Sequence, residues 1–192
     1  MHVSRERFAA RCPCHVTLKV RDDVPSLRSL RLVRELERSF SEGCERGEFR
    51  LVHYSFQRDH AHLLVEAKGR EALGLGMKSL GARFARAVNR VFDRSGPVLA
   101  DRYHLHVLRS PREVRSALRY VLLNHRKHAR RLGTSARPDP ASSVRFFDGW
   151  REALLPGAGR SPVARARTWL LSRGWRRARG GLLSLSEVPG GT

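Results

Sequence analysis

Two histidines stand one residue apart in Asp59-His60-Ala61-His62-Leu63-Leu64-Val65. Side chains alternate faces along an extended chain, so both rings point to one side of a strand. Two neutral imidazoles side by side are a start on a divalent-metal site, although the same pair on a basic surface also suits solvated or phosphate-facing rings. His104 and His106 form a rival pair with the same spacing. Cys12-Pro13-Cys14-His15 holds half of a zinc site, but the second spaced pair that such a site needs is missing. The three cysteines, Cys12, Cys14 and Cys44, fit plain structural thiols in a reducing compartment. Tyr120 and Asn124 are four apart and share a helix face. Asparagine occurs only at Asn89 and Asn124 and is a poor helix-interior residue, so Asn124 either has a task or bonds a local carbonyl.

These residues need elements to hold them. HVTLKV (15–20) alternates apolar and polar residues and reads as a half-buried strand. Pro25 opens a helical stretch with Leu27, Leu30, Val33, Leu36 and Phe40 on one stripe, stopped by Gly43 and Gly47. FRLVHYSF (49–56) and HLLVEA (62–67) read as a hairpin across Gln57-Arg58-Asp59. A second helix from Glu71 carries Leu73, Met77, Leu80, Phe84, Val88 and Val91, and ends before Ser95-Gly96-Pro97. YHLHVL (103–108) fits a fourth strand, placing Tyr103 in it. Ser110-Pro111-Arg112-Glu113 is a capping box that starts a third helix, expected to reach about Leu132 with Val114, Leu118, Val121 and Leu122 buried. Pro138, Pro140 and the following serines mark a linker, FFDGW (146–150) an aromatic knot, and 163–173 a last short helix; 180–192 look frayed. The order β-α-β-β-α-β is that of an α+β, ferredoxin-like unit, an antiparallel sheet with helices on one face and the other face free to bind.

Composition narrows the partners. The 192 residues, 41% hydrophobic, suit a globular chain divided into residues 1–136 and an extension, 137–192. No window is long and apolar enough to span a bilayer, and the N-terminus lacks the apolar core of a secretory signal, so a cytoplasmic, nucleoid-associated location is expected. Lys+Arg 38 against Asp+Glu 18 gives a net charge of +20, spread along both parts, and points to a polyanion. Arginine dominates and matches phosphate with two parallel donors, which favours nucleic acid over a membrane surface.

With these pieces in place, the chain resembles the single-tyrosine HUH transposases, in particular the REP-associated tyrosine transposases. The likeness runs over about 14–131: HVTLKV, HYSFQRDHAHLLVEA, GLGMKSLGARFARAVNRVF, ADRYH and RYVLLNHRKHARR. It differs in Ala61, where bulkier aliphatics are common, in Asp59 for a frequent Asn, and in His125 where Pro often follows the Asn. The resemblance implies that His60, His62 and Asn124 are metal ligands and Tyr120 the catalytic nucleophile, forming a 5′-phosphotyrosine and a free 3′-OH. It implies Mg²⁺ or Mn²⁺ as cofactor, consistent with mixed N/O ligation, and single-stranded DNA with a hairpin as partner; a homodimer is among the states it admits. No residue is singled out as general base.

Other DNA contacts are assigned to Arg102 and His104 before the fourth strand and to Arg126, Lys127, Arg130 and Arg131 after Asn124. Trp169 and Trp175, interleaved with arginines, read as base-stacking groups or as one face of a docked helix. Tyr54 and Tyr103 read as packing or base-stacking groups and not as nucleophiles, since neither has an amide partner four residues on along a helix. The competing function is a domesticated, non-catalytic DNA-binding protein on the same domain.

Overall fold

The computed structural model describes residues 11–129, 138–155, 157 and 159–189. Its elements are β1 (Cys14–Lys19), α1 (Leu30–Ser41), β2 (Glu45–Arg46), β3 (Phe49–Phe56), β4 (His60–Ala67), α2 (Arg70–Val91), β5 (His104–Val107), α3 (Pro111–Ala129) and the short α4 (Trp169–Ser172), with 3-10 turns at Ser143–Phe146 and Gly174–Arg177. One five-stranded sheet runs β2-β3-β4-β1-β5, every named pair antiparallel. Without the two-residue β2 this is the expected ferredoxin-like order.

Several boundaries differ from the sequence reading for local reasons. The first helix starts at Leu30 and not Pro25: the Ser29 side chain accepts from the Leu32 amide as N-cap, while Leu27 upstream is held by its amide to the Arg58 carbonyl. Gly47, at φ +57°, makes the tight turn that folds β2 onto β3. β4 begins at His60, two residues earlier than expected, and Tyr103 precedes β5.

Alternation along the strands sorts the side chains into two cores. Cys14, Val16 and Leu18 of β1 join Leu32, Leu36 and Phe40 of α1 and Met77, Leu80 and Phe84 of α2 on one face. Gly76 lets α2 press on the sheet, since a Cβ there would lie 2.0 Å from the Phe49 ring. Tyr54 is fully buried on this side and its hydroxyl donates to Glu37 at 2.8 Å. The thiol of Cys14 therefore faces away from His15, its neighbour in the half zinc motif.

The opposite face is covered, contrary to the expectation of a free one. A bulge between Leu51 and His53 turns both Val52 and His53 to this side. Val52, Leu64 and the expected stripe of α3 (Val114, Leu118, Val121, Leu122) pack there with Val144, Phe147, Trp150 and Trp175. Three charged clamps hold the extension down. Arg28 grips the buried Asp139 with two bonds, 2.8 and 3.0 Å. Glu66, 1% exposed, accepts from the Arg167 amide at 2.8 Å and from the Thr168 amide and hydroxyl at 2.9 and 2.7 Å, at the start of α4. Arg115 of α3 donates to the Gly181 carbonyl and to Glu187, each at 2.8 Å. Residues 180–189 are thus ordered against α3, not frayed, and Leu183 is fully buried. Among the described residues, no helix is long and apolar enough to cross a membrane.

Candidate active site

β4 and β1 meet in the register Thr17↔His62 and Lys19↔His60. Directly opposed residues of an antiparallel pair share a face, so His60 and His62 lie with His15 and Thr17 on the side that α3 covers. The two Nε2 atoms of His60 and His62 are 3.1 Å apart. On the far side of each ring Nδ1 has a hydrogen-bond partner. His60 Nδ1 donates to Asp59 Oδ1 at 2.8 Å, and this bond is the main cause that lowers the Asp59 carboxyl below its ordinary range. His62 Nδ1 is 3.2 Å from His15 Nε2 and 3.3 Å from Thr17 Oγ1. With Nδ1 protonated on both rings, both Nε2 lone pairs turn to one point.

Burial keeps His15 and His62 neutral. His62 is lowered to about 3, chiefly by desolvation and then by the fields of His15 and His60. His15 is lowered to about 4 by desolvation, with His106 adding to the effect. At neutral pH both rings are unprotonated bases, the form that binds cations and accepts hydrogen bonds.

α3 brings its tyrosine to the same place. The Tyr120 ring stands edge-on to His62 at 4.9 Å and to His15 at 5.8 Å between centroids. Asn124 follows one helical turn later and is buried, 3% exposed. Two ligands at right angles with metal–nitrogen bonds of about 2.1 Å stand about 3.0 Å apart, so the 3.1 Å pair fits a divalent cation. Among the described residues no group of three His, Cys, Asp or Glu could hold a metal ion, so the remaining donors must be of another type, such as an amide or a phosphate oxygen.

Thr17 carries no sequence signal beyond its place on the polar face of β1, and His15 reads only as part of the half zinc motif; neither is marked by the sequence as a neighbour of His62. The signal that finds them is the pairing of β1 with β4. The rival pair, His104 and His106, sits on the same face but one strand further out: β5 pairs with β1 through Thr17↔His104 and His15↔His106, so His15 and Thr17 stand between it and His62. His104 and Arg102 are exposed at this edge. Trp169 is 49% exposed with the Arg177 guanidinium 5.3 Å over its ring. Trp175 is 1% exposed and is a core residue, which corrects its assignment to DNA. The side chains of Arg126 and Lys127, and the whole of Arg130 and Arg131, lie outside the described residues.

The model of a family described as transposase IS200 like matches residues 9–122, a span that includes His60, His62 and Tyr120 and stops before Asn124. Among solved structures, the chain is similar to a REP-associated tyrosine transposase bound to a REP hairpin, with TM-score 0.58 and 14% identity, over 87% of this chain and 99% of that one. That share exceeds what residues 1–136 supply, so the common fold takes in part of the extension. A second similar structure, assigned as a transposase from Deinococcus radiodurans R1, has 17% identity over 55% of this chain and 85% of that one, with a TM-score of 0.41. No curated protein matches. The first likeness establishes the fold, and the family match over more than half of the sequence establishes the lineage: the chain belongs to the IS200-like transposase family.

Proposed function

We propose that the chain nicks single-stranded DNA beside a hairpin and passes the broken end to a new strand, with Tyr120 as nucleophile. The observation that carries this is the convergence of His60 and His62, Nε2 to Nε2 at 3.1 Å, with the Tyr120 ring edge-on to His62. His60, His62 and Asn124 would hold a divalent cation, Mg²⁺ or Mn²⁺. When bound, that ion supplies positive charge against the oxygens of the scissile phosphate.

The remaining chemistry belongs to the chain. The Tyr120 oxygen attacks phosphorus and gives up its proton to solvent, the bond from phosphorus to the 3′ oxygen breaks, and that oxygen takes up one proton from solvent to leave as a 3′-hydroxyl, so the step is proton-neutral overall. The 5′-phosphotyrosine conserves the ester, so a second 3′-OH can reverse the step on another strand without ATP. Asp59 and the His15–Thr17 pair keep the two imidazoles in the tautomer and orientation that the site uses. Arg102 and His104 offer phosphate contacts at the β5 edge, and Trp169 an exposed ring. A hairpin partner is supported by the fold shared with a transposase described as bound to one.

The test is a denaturing gel of the full chain with Mn²⁺ and a labelled single-stranded hairpin oligonucleotide. A slower, protease-sensitive DNA band is expected. Tight binding without that band favours the domesticated, non-catalytic reading. His60→Ala is expected to weaken Mn²⁺ binding by about 100-fold or more, since it removes a ligand and not merely a ligand's partner; Mn²⁺ titration followed by electron paramagnetic resonance reads this directly. Unchanged affinity would move the metal to another pair, His104 and His106 first.

A further inference from the structure

A second basic feature lies on the far side of the sheet from Tyr120. The β2–β3 turn and α2 as far as Arg86 enclose a cleft of about 960 Å³. Its floor is apolar and shallowly built, because Gly76 seats α2 directly on Phe49 and Leu75 is 62% exposed beside it. Its rim is cationic: Arg46, Arg70, Lys78 and Arg86 line it against the carboxylates of Glu48 and Glu71. Glu48 is already engaged by Lys68 at 2.6 Å, and Arg46 donates to Ser79 at 3.2 Å. Arg70, Lys78 and Arg86 have no hydrogen-bond or ion-pair partner among the described residues. All three are exposed.

Unpaired cations around an apolar trough call for a ligand that is charged along one edge and apolar along the other. A duplex presents phosphates but keeps its bases stacked inside, so it would leave the floor wet. An unpaired strand turns base faces and sugars inward while its phosphates meet the rim. The trough is large enough for more than one nucleotide, and with no aromatic on its floor it supplies contact without strong base preference. We infer that this cleft binds the sugar–phosphate backbone of single-stranded DNA, as a second contact separate from the histidine–tyrosine site. The inference rests on the reading of the chain as a DNA-processing enzyme, and it extends the path of the strand to the α2 face.

The experiment compares the full-length protein with two triple variants. One is Arg70→Gln/Lys78→Gln/Arg86→Gln in the cleft. The control, Arg31→Gln/Arg34→Gln/Arg38→Gln, removes the same charge from exposed positions on α1 outside it. Each is titrated across a salt series with a fluorescent thymidine oligonucleotide of roughly 20 nucleotides, long enough for an extended groove, and with a blunt duplex. Loss of three phosphate contacts should lower the log–log salt slope on the single strand by about 2 in the cleft variant, with little change in the control. An unaltered slope in the cleft variant overturns the inference. So do equal losses in the two variants, which would mark a net-charge effect, or a larger loss on duplex. Covalent adduct formation is measured in parallel on the wild type: its absence defeats the nicking reading, whereas the slope comparison alone decides the cleft. Thermal melting checks that both variants stay folded.

Discussion

Tyr120→Phe is expected to abolish the covalent adduct and to lower strand cleavage by at least about 10⁴-fold, the scale on which loss of a nucleophile is felt. Only the phenolic oxygen is removed. The ring keeps its edge contacts with His62 and His15, so α3 stays seated and the imidazole cluster is undisturbed. No arginine or lysine is touched, so affinity for a single-stranded hairpin should change by less than about 3-fold, well under the effect of losing one charged contact. Single-turnover cleavage and anisotropy on the same preparation read the two quantities. A Phe variant that still forms an adduct would place the nucleophile elsewhere. Tyr54 is a poor substitute: it is fully buried on the other face of the sheet with its hydroxyl on Glu37.

Trp175→Ala is expected to destabilise the fold by about 3–5 kcal/mol, the range for emptying a large aromatic from a packed core. The indole is 1% exposed, lies 5.4 Å from the Phe147 ring and leaves so little room that a Cβ on Gly149 would come within 2.5 Å of it. A chain of this size should lose on the order of 10 °C in melting temperature. DNA affinity measured well below that temperature should hold, because the ring is sealed from solvent. A base-stacking tryptophan would show the reverse, a large loss of binding with little change in melting. Trp169→Ala supplies that contrast at an exposed ring.

The legible parts of this molecule are those whose signal is local. The i, i+2 histidines on a strand and the i, i+4 Tyr120 and Asn124 on a helix each carry their geometry in their spacing, and the strand–helix order gives the ferredoxin-like core. What was not legible depends on pairing between distant segments. His15 reads as a polar-face residue at the end of a half zinc motif until β1 is laid beside β4, 47 residues on, and its Nε2 meets His62. Glu66 ends a strand with no motif around it, yet it anchors Thr168, 102 residues later. Trp175 sits among arginines in the sequence, which leaves a base-stacking ring and a docked helix face equally open. It is buried in a core cluster that includes Leu118, Val144 and Phe147, none of which is its neighbour in the chain. The same long-range packing explains why the sheet face read as free is occupied.

The three clamps that fasten the extension also dictate an order of assembly. Arg28 waits for Asp139, Glu66 for Thr168 and Arg115 for Glu187, separations of 111, 102 and 72 residues. Closing such long loops is slow compared with forming helices or hairpins. During synthesis the sheet and its two outer helices can therefore settle while α3 still lacks its cover. The helix that carries Tyr120 is seated from both sides only when the segment through Glu187 has emerged, so a chain interrupted before that point would hold the histidines on β4 but present the tyrosine on a loosely held helix.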